Sequence, residues 1–173
     1  KLYLYSEYNI SKLLKASSYP SALTKTLKSI ESKRLELNIK ANNKIKKENI
    51  QNITILDKVS EEEKVSLLNL CTGFIFPSHL RSEAFGIALL EAALFGKPMI
   101  SCEIGTGTSF VNKDQITGLV VKPNSSIELR NAMQYLLDNE KVSENMGKQA
   151  MQRAKEMFNL KDSALSYLEV YKN

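Results

Sequence analysis

Glu83 and Glu91 stand eight residues apart in the stretch PSHLRSEAFGIALLEAALFGKPMIS, one on each side of Gly86. A carboxylate can accept two hydrogen bonds from a vicinal diol, such as the 2′,3′ pair of a ribose or the hydroxyls of a hexose. The pattern after Gly86 is helical, and the first amides of a helix, here around Phe85 to Ala88, lack intrahelical partners and carry partial positive charge. They make a ready anion site. Gly86 lets a ligand approach the backbone closely. Glu91 lies five residues past Gly86, roughly 7.5 Å along the axis of a helix. One ligand with phosphate at the helix start could therefore offer hydroxyls to both glutamates. Arg81 is a cation in the same stretch, and His79 is the single histidine of the chain. Each residue also has a plainer reading. Glu83 is then a favourable charge near a helix N-terminus, Glu91 a solvated helix residue, and Arg81 and His79 ordinary loop residues.

Several elements must hold these residues in place. Phe74-Ile75-Phe76 between Gly73 and Pro77 reads as a short strand of a buried parallel sheet, which Pro77 ends. Ser78 to Ala84 is a polar loop. From Gly86 a helix is predicted, with Ile87, Leu90 and Leu94 as its large apolar residues and alanines that let it lie close to a sheet. Gly96 and Pro98 stop it, and Met99-Ile100 begins the next strand. A strand, a loop and a helix put the helix N-terminus at the carboxyl edge of a sheet, where open α/β folds bind ligands. A second loop, Ser101-Cys102-Glu103-Ile104-Gly105-Thr106-Gly107-Thr108, follows that strand at the same edge. Gly105 and Thr106 there can present backbone N–H groups to phosphate or sugar; the plainer reading is a tight turn with Thr108 or Ser109 as N-cap.

The rest of the chain supports a sheet. Leu2 to Tyr5 reads as a strand, and Leu13-Leu14 lies in a short helix. A longer helix is expected from Pro20 or Ser21 to about Leu37, and Ile39 to Gln51 is frayed helix or loop. Asn52 to Leu56 is predicted as a strand, Asp57-Lys58-Val59 as a turn, and Ser60 to Glu63 as a capping box that opens a helix. Asn112 to Thr117 is a turn and Gly118 to Val121 the last strand. Helices are predicted from Asn124 or Ser125 to about Leu137, with Leu129, Met133, Leu136 and Leu137 inward. Two more follow, from Lys141 to Phe158 and from Leu160 to Tyr171. The order implies an α/β fold, a Rossmann-like parallel sheet with helices on both faces.

At 173 residues the chain is read as one domain, and the absence of an initial methionine suggests a fragment of a longer protein. No run of apolar residues is long enough to span a membrane. Cys71 and Cys102 are the only cysteines; without a C-x-x-C or a histidine pair no metal site is expected, and buried reduced thiols are. Residues 1–50 carry eleven Lys/Arg against four Asp/Glu, a net of +7. The remainder carries thirteen against fifteen, a net of −2, within a total of +5. A basic half suits anionic lipid or a solvated helical face. It lacks the basic-aromatic spacing that binds nucleic acid.

The stretch from Pro77 to Ser101 resembles the E-x7-E segment of retaining glycosyltransferases with the GT-B fold, family 4-like, group 1. That family includes bacterial mannosyl-, glucosyl- and N-acetylglucosaminyltransferases of surface polysaccharides. Proline-serine at the strand end, E-x-F-G, the second glutamate and G-K-P-x-I all fit. E-I-G-T-G-T-S-F-V-N resembles the corresponding loop of O-antigen transferases, and T-G-L-V-V-x-P is typical too. The resemblance runs from roughly Asn52 onward. It implies the C-terminal, donor-binding half of a two-domain enzyme that binds GDP-mannose or a UDP-hexose without metal or other cofactor. It also implies transfer of the sugar, with retention, to an O-antigen, capsule or other lipid-linked glycan. The expected partners are the nucleotide-sugar, an N-terminal acceptor domain and the lipid-linked acceptor, at a cytoplasmic location with peripheral contact to the inner membrane face. Glu83 is then the candidate catalytic residue, orienting the sugar hydroxyls. Ser78, Arg81, Phe85, Gly86, Ile87, Glu91, Gly105 and Thr106 are donor contacts, with Glu91 on the ribose. Val59 lies against the base, although Asp57 stands where the family usually has glycine. The family's arginine and lysine, in G-R and K-G near the start of this half, have no counterpart at the start of this chain. The resemblance also implies that the two glutamates sit at different ends of the donor, unlike hydrolytic carboxylates that flank one bond. Two alternatives stay open: a nucleotide- or sugar-binding or membrane-docking module without chemistry, and a GT-B phosphorylase or epimerase.

Overall fold

The computed structural model describes residues 2–4, 36–51, 53–56 and 59–159. Those residues fall into two compact units, one up to Lys64 and one from Val65 onward that also holds the first strand. The second unit is built on a four-stranded parallel sheet: β1 (Leu2–Leu4), β2 (Gly73–Phe76), β3 (Met99–Cys102) and β4 (Gly118–Val121). Spatial order follows chain order, β1-β2-β3-β4. Leu2 pairs with Gly73, Phe74 with Met99, and Met99 with Gly118.

Residues 36–47 are helical (α1), which settles the open reading of 39–51 as helix through Lys47. Helix α2 (Glu61–Leu70) opens on the expected capping box: Ser60 N–H donates to Glu63 Oε2 at 2.7 Å and Glu63 N–H to Ser60 Oγ at 3.1 Å. Then come α3 (Ile87–Leu94), α4 (Thr108–Val111), α5 (Ser126–Asp138) and α6 (Glu140–Met157). Ser125 caps α5 by accepting the Glu128 N–H at 3.2 Å.

Strand side chains alternate, and both faces of the sheet are covered. Phe74, Phe76 and Met99 meet Ala88, Leu89, Ala92 and Ala93 of α3, Leu68 of α2, Val111 of α4, and Ala150 and Ala154 of α6. Ile75, Ile100, Cys102, Leu119 and Val121 face the other way, against Ala132 and Leu136 of α5 and Met146 of α6. Helix α6 thus contributes to both cores. It passes the amino end of β3 with Gly147 against the Gly96–Pro98 turn: a Cβ on Gly147 would stand 2.0 Å from the Gly96 oxygen.

Four expectations are corrected. The buried face of α3 is Ala88, Leu89, Ala92 and Ala93, whereas Ile87 is 65% and Leu94 48% exposed. The alanines let the helix sit against the sheet, as expected, with Leu89 beside them, while Ile87 and Leu94 turn outward. In α5 Leu136 is buried as expected and Leu129 and Met133 pack against the core, but Ala132 also turns inward and Leu137 is exposed. Residues 53–56 form no strand, and Ile53 and Leu56 are about half exposed. Both sides of β2 are already taken, by β1 and β3. The N-cap of α4 is Gly107, not Thr108 or Ser109; Thr108 is buried. The predicted short helix at Leu13, the helix start at Pro20, Tyr5, Asn52, Asp57, Lys58 and the helix from Leu160 lie outside the described residues.

Both cysteines are buried. Burial pushes both thiols up, and the nearby Lys97 ammonium only partly opposes this at Cys71. Among the described residues no helix is long and apolar enough to cross a membrane.

Candidate functional site

β2 and β3 both run into loops at the carboxyl edge of the sheet. The first loop, 77–86, turns at Leu80, whose carbonyl accepts the Glu83 N–H at 3.1 Å. Glu83 then reaches forward: its Oε1 accepts the Gly86 N–H at 2.9 Å. Gly86 is the N-cap of α3, in the left-handed region at φ 86°. A side chain there would be strained, and its Cβ would stand 2.9 Å from Leu89 Cδ1 and 3.3 Å from Thr108 Cγ2. Glu83 therefore places a negative charge at the positive end of α3 and satisfies one of its orphan amides. The N–H groups of Ile87 and Ala88 have no hydrogen-bond partner among the described residues. Of the amides expected around Phe85 to Ala88, the Gly86 N–H is thus occupied from within the chain.

The second loop, 103–107, folds against the first. The Gly107 N–H donates to the Ala84 carbonyl at 2.8 Å, and Arg81 Nη2 reaches the Gly105 carbonyl at 3.5 Å. Gly105 is left-handed at φ 67°, with its N–H donated to Glu103 Oε1 at 2.9 Å. The Thr106 and Thr108 hydroxyls lie 3.3 Å apart. Gly107 has no space for a side chain, since a Cβ would stand 2.8 Å from Phe85 Cδ2 and 2.9 Å from the Ala84 oxygen. The glycine pair of the G-T-G-T loop thus has two separate roles, a turn at Gly105 and close loop packing at Gly107.

Arg81, Glu83, Phe85, Gly86, Gly105 and Thr106 are therefore brought together by these two interlocked loops. Ile87 is exposed on the first turn of α3, and Glu91 is half-buried one turn further on. Ser78 is half-buried two residues past the end of β2. Val59 is half-buried and belongs to the unit that ends at Lys64. His79 is exposed. This edge can receive an anion at unpartnered amides, supply a guanidinium beside it, and present carboxylates to hydroxyls.

Sequence reasoning missed residues that hold the sheet at its amino end and beneath the loops. Lys97 Nζ donates to the carbonyls of Asn69 and Cys71, at 2.9 and 2.8 Å, and so closes the C-terminal end of α2. Buried Asn112 donates to Ser101 Oγ at 2.9 Å and the Leu119 carbonyl at 3.1 Å, and accepts from Thr117 Oγ1 at 3.0 Å. Phe158 packs edge-on against both Phe85 and Phe110. The lysine of G-K-P and the second glycine of G-T-G were visible as motif members; nothing local marks Phe158.

Residues 22–153 match the family described as Glycosyl transferases group 1. The chain is 47% identical over 122 residues to the O-antigen chain mannosyltransferase C of Escherichia coli, covering 70% of this chain and 33% of that protein. It is 50% identical over 109 residues to the D-rhamnosyltransferase WbpZ of Pseudomonas aeruginosa, covering 63% and 29%. The chain thus spans about a third of the length of these curated relatives. In fold it is similar to Anabaena Alr3699/HepE in complex with UDP and glucose, with a TM-score of 0.70 at 18% identity over 80% of this chain and 37% of that one.

Proposed function

Because the chain belongs to the group 1 glycosyl transferases, we propose that it binds the nucleotide-sugar of an enzyme that extends an O-antigen or similar lipid-linked glycan. The transferred sugar is mannose, rhamnose or a related hexose, carried on GDP or UDP, and the anomeric configuration is retained. The observation that carries this reading is the convergence of the 77–86 and 103–107 loops at the N-terminus of α3. In this reading the free amides of Ile87 and Ala88 and the guanidinium of Arg81 hold the diphosphate, and no metal takes part. They stabilise the charge that grows on the leaving group. Glu83 uses the oxygen not given to Gly86 to orient sugar hydroxyls, Glu91 holds the ribose, and Gly105 and Thr106 close over the sugar. Catalysis is then chiefly positioning. Relatives named as an O-antigen chain mannosyltransferase and a D-rhamnosyltransferase support the glycan class. An acceptor-binding part of the same enzyme and a membrane-borne acceptor complete the reading.

Thermal unfolding of the full-length enzyme against GDP, UDP and ADP, each with and without an attached hexose, tests it. A ligand specific to the folded state raises Tm by mass action. One base alone should raise Tm, and Glu91→Ala should abolish the rise while preserving the fold. A Glu91→Ala enzyme with unchanged kcat/KM would remove the ribose assignment. No response to any nucleotide would overturn the donor site.

A further inference from the structure

The last turn of α6 arrives at the same edge as the two loops. The Phe158 ring stands edge-on to Phe85, with centroids 5.7 Å apart and planes at 76°. It is also edge-on to Phe110, at 5.8 Å and 82°. Phe85 belongs to the loop that carries Glu83; Phe110 follows the loop that carries Gly105 and Thr106. Arg153, five residues before Phe158, donates from Nη2 to the Phe110 carbonyl at 2.8 Å, and its guanidinium carbon lies 5.1 Å from the centroid of the Phe110 ring. Between the two loops, Gly107 is already in contact distance of Phe85. One aromatic side chain thus touches both halves of the site from a helix that supplies none of its expected ligand contacts.

We propose that Phe158 is a positioning residue for the sugar-nucleotide edge: it locks Phe85 and Phe110 together and so sets the spacing of the two loops. This rests on the donor-site reading above. Geometry supports positioning over simple burial of an apolar ring. Edge-to-face pairs are directional, and each pair here ends on a different loop. The loops' own bond, Gly107 N–H to the Ala84 carbonyl, needs that spacing. Arg153 fixes Phe110 from the same helix, so α6 acts as the common reference for both.

The test uses the full-length enzyme with Phe158→Ala, Phe158→Tyr and, as a control on the opposite sheet face, Leu136→Val. Phe158→Ala should raise the donor KM at least about fivefold, the lower bound for loss of two ring pairs, with kcat and acceptor KM little changed. Phe158→Tyr keeps the edge contact and should restore the wild-type value. Leu136→Val should lower Tm without moving the donor KM. Amide hydrogen exchange without ligand gives an independent reading: Gly107 should exchange faster in Phe158→Ala and not in Leu136→Val. Slower or equal exchange at Gly107 in Phe158→Ala would overturn the lock, whatever the enzyme binds. Faster exchange with an unchanged donor KM would overturn the positioning role. Wild-type enzyme that binds no nucleotide would instead sink the donor-site reading, and with it the role for Phe158 in binding.

Discussion

The proposed reading gives the Glu83 carboxylate a second task beside its bond to Gly86, and the two can be separated. Oε1 accepts the N–H of buried Gly86 at 2.9 Å. In Glu83→Ala that amide loses its partner beside a helix N-terminus. Loss of an N-terminal cap costs about 1 kcal/mol and up to about 2 kcal/mol. Bonds to charged groups lie at the upper end, but Glu83 is only half-buried, so water recovers part of the loss. We expect a loss of about 1–2 kcal/mol, or a Tm lower by about 3–6 °C for a chain of this size. Glu83→Gln keeps an acceptor oxygen for Gly86 and loses only the attraction to the helix dipole, about 0.5 kcal/mol. Its Tm should fall by only about 1–2 °C. The proposed sugar-facing task would respond differently. Gln replaces a charge-assisted contact to hydroxyls with a neutral one, a difference of about 1.4 kcal/mol or more, which is at least about tenfold in kcat/KM. Glu83→Gln should therefore be nearly as stable as wild type and at least about tenfold less active in a donor-consumption assay of the full-length enzyme with acceptor. If Glu83→Gln stays within twofold of wild type, the carboxylate is a helix cap and no more.

Gly147→Ala tests the crossing of α6 past β3. Alanine would favour the helix by about 1 kcal/mol, but its Cβ would meet the Gly96 oxygen at 2.0 Å, a backbone atom that cannot swing aside. Overpacking at the upper end of its range costs about 3 kcal/mol, so Tm should fall by several degrees; an unchanged or higher Tm would refute the packing argument. Glu128 carries a pH dependence: the backbone N–H of Lys122, at 2.9 Å, holds its carboxyl below the ordinary value. A lowered folded pKa means the contribution is complete above the unfolded pKa and is lost as pH falls through the folded one. The Tm gap between wild type and Glu128→Gln should thus be open at neutral pH and close on acidification, and a gap constant down to strongly acid pH would contradict it.

The strands were legible because burial on both faces makes a run such as Phe74-Ile75-Phe76 wholly apolar, and glycine and proline mark its ends. The capping box at Ser60–Glu63 was legible because all its partners lie within four residues. Residues 53–56 have a strand-like composition, yet a strand also needs a partner, and β2 is paired with Leu2–Leu4 from far upstream. No local pattern carries that information. Helix α3 misleads for another reason. Size marks Ile87 and Leu94 as core residues, but the alanines, which the sequence already set against the sheet, fill the buried face together with Leu89. At the site, the i to i+3 spacing of Glu83 and Gly86 already allowed a cap. The contact of Phe158 with Phe85 spans much of the chain, and only the folded helix path creates it.

The Asn112 network explains why the second loop can be short, partly exposed and still well placed. Loop 103–107 leaves from the end of β3 and returns through α4. Asn112, immediately after α4, is fully buried and holds Ser101 of β3, Thr117 and the Leu119 carbonyl of β4 together. Both roots of the loop are thereby fixed to the sheet by one side chain whose polar atoms are satisfied. A buried network that is complete in this way rigidifies its surroundings. The Gly107–Ala84 bond then ties the middle of the loop to the loop that carries Glu83. Ligand contacts on loops are usually less exact than those on helices or strands. Here the polar core beneath β3 and β4 gives the loop a fixed base, and the candidate site inherits the rigidity of the sheet.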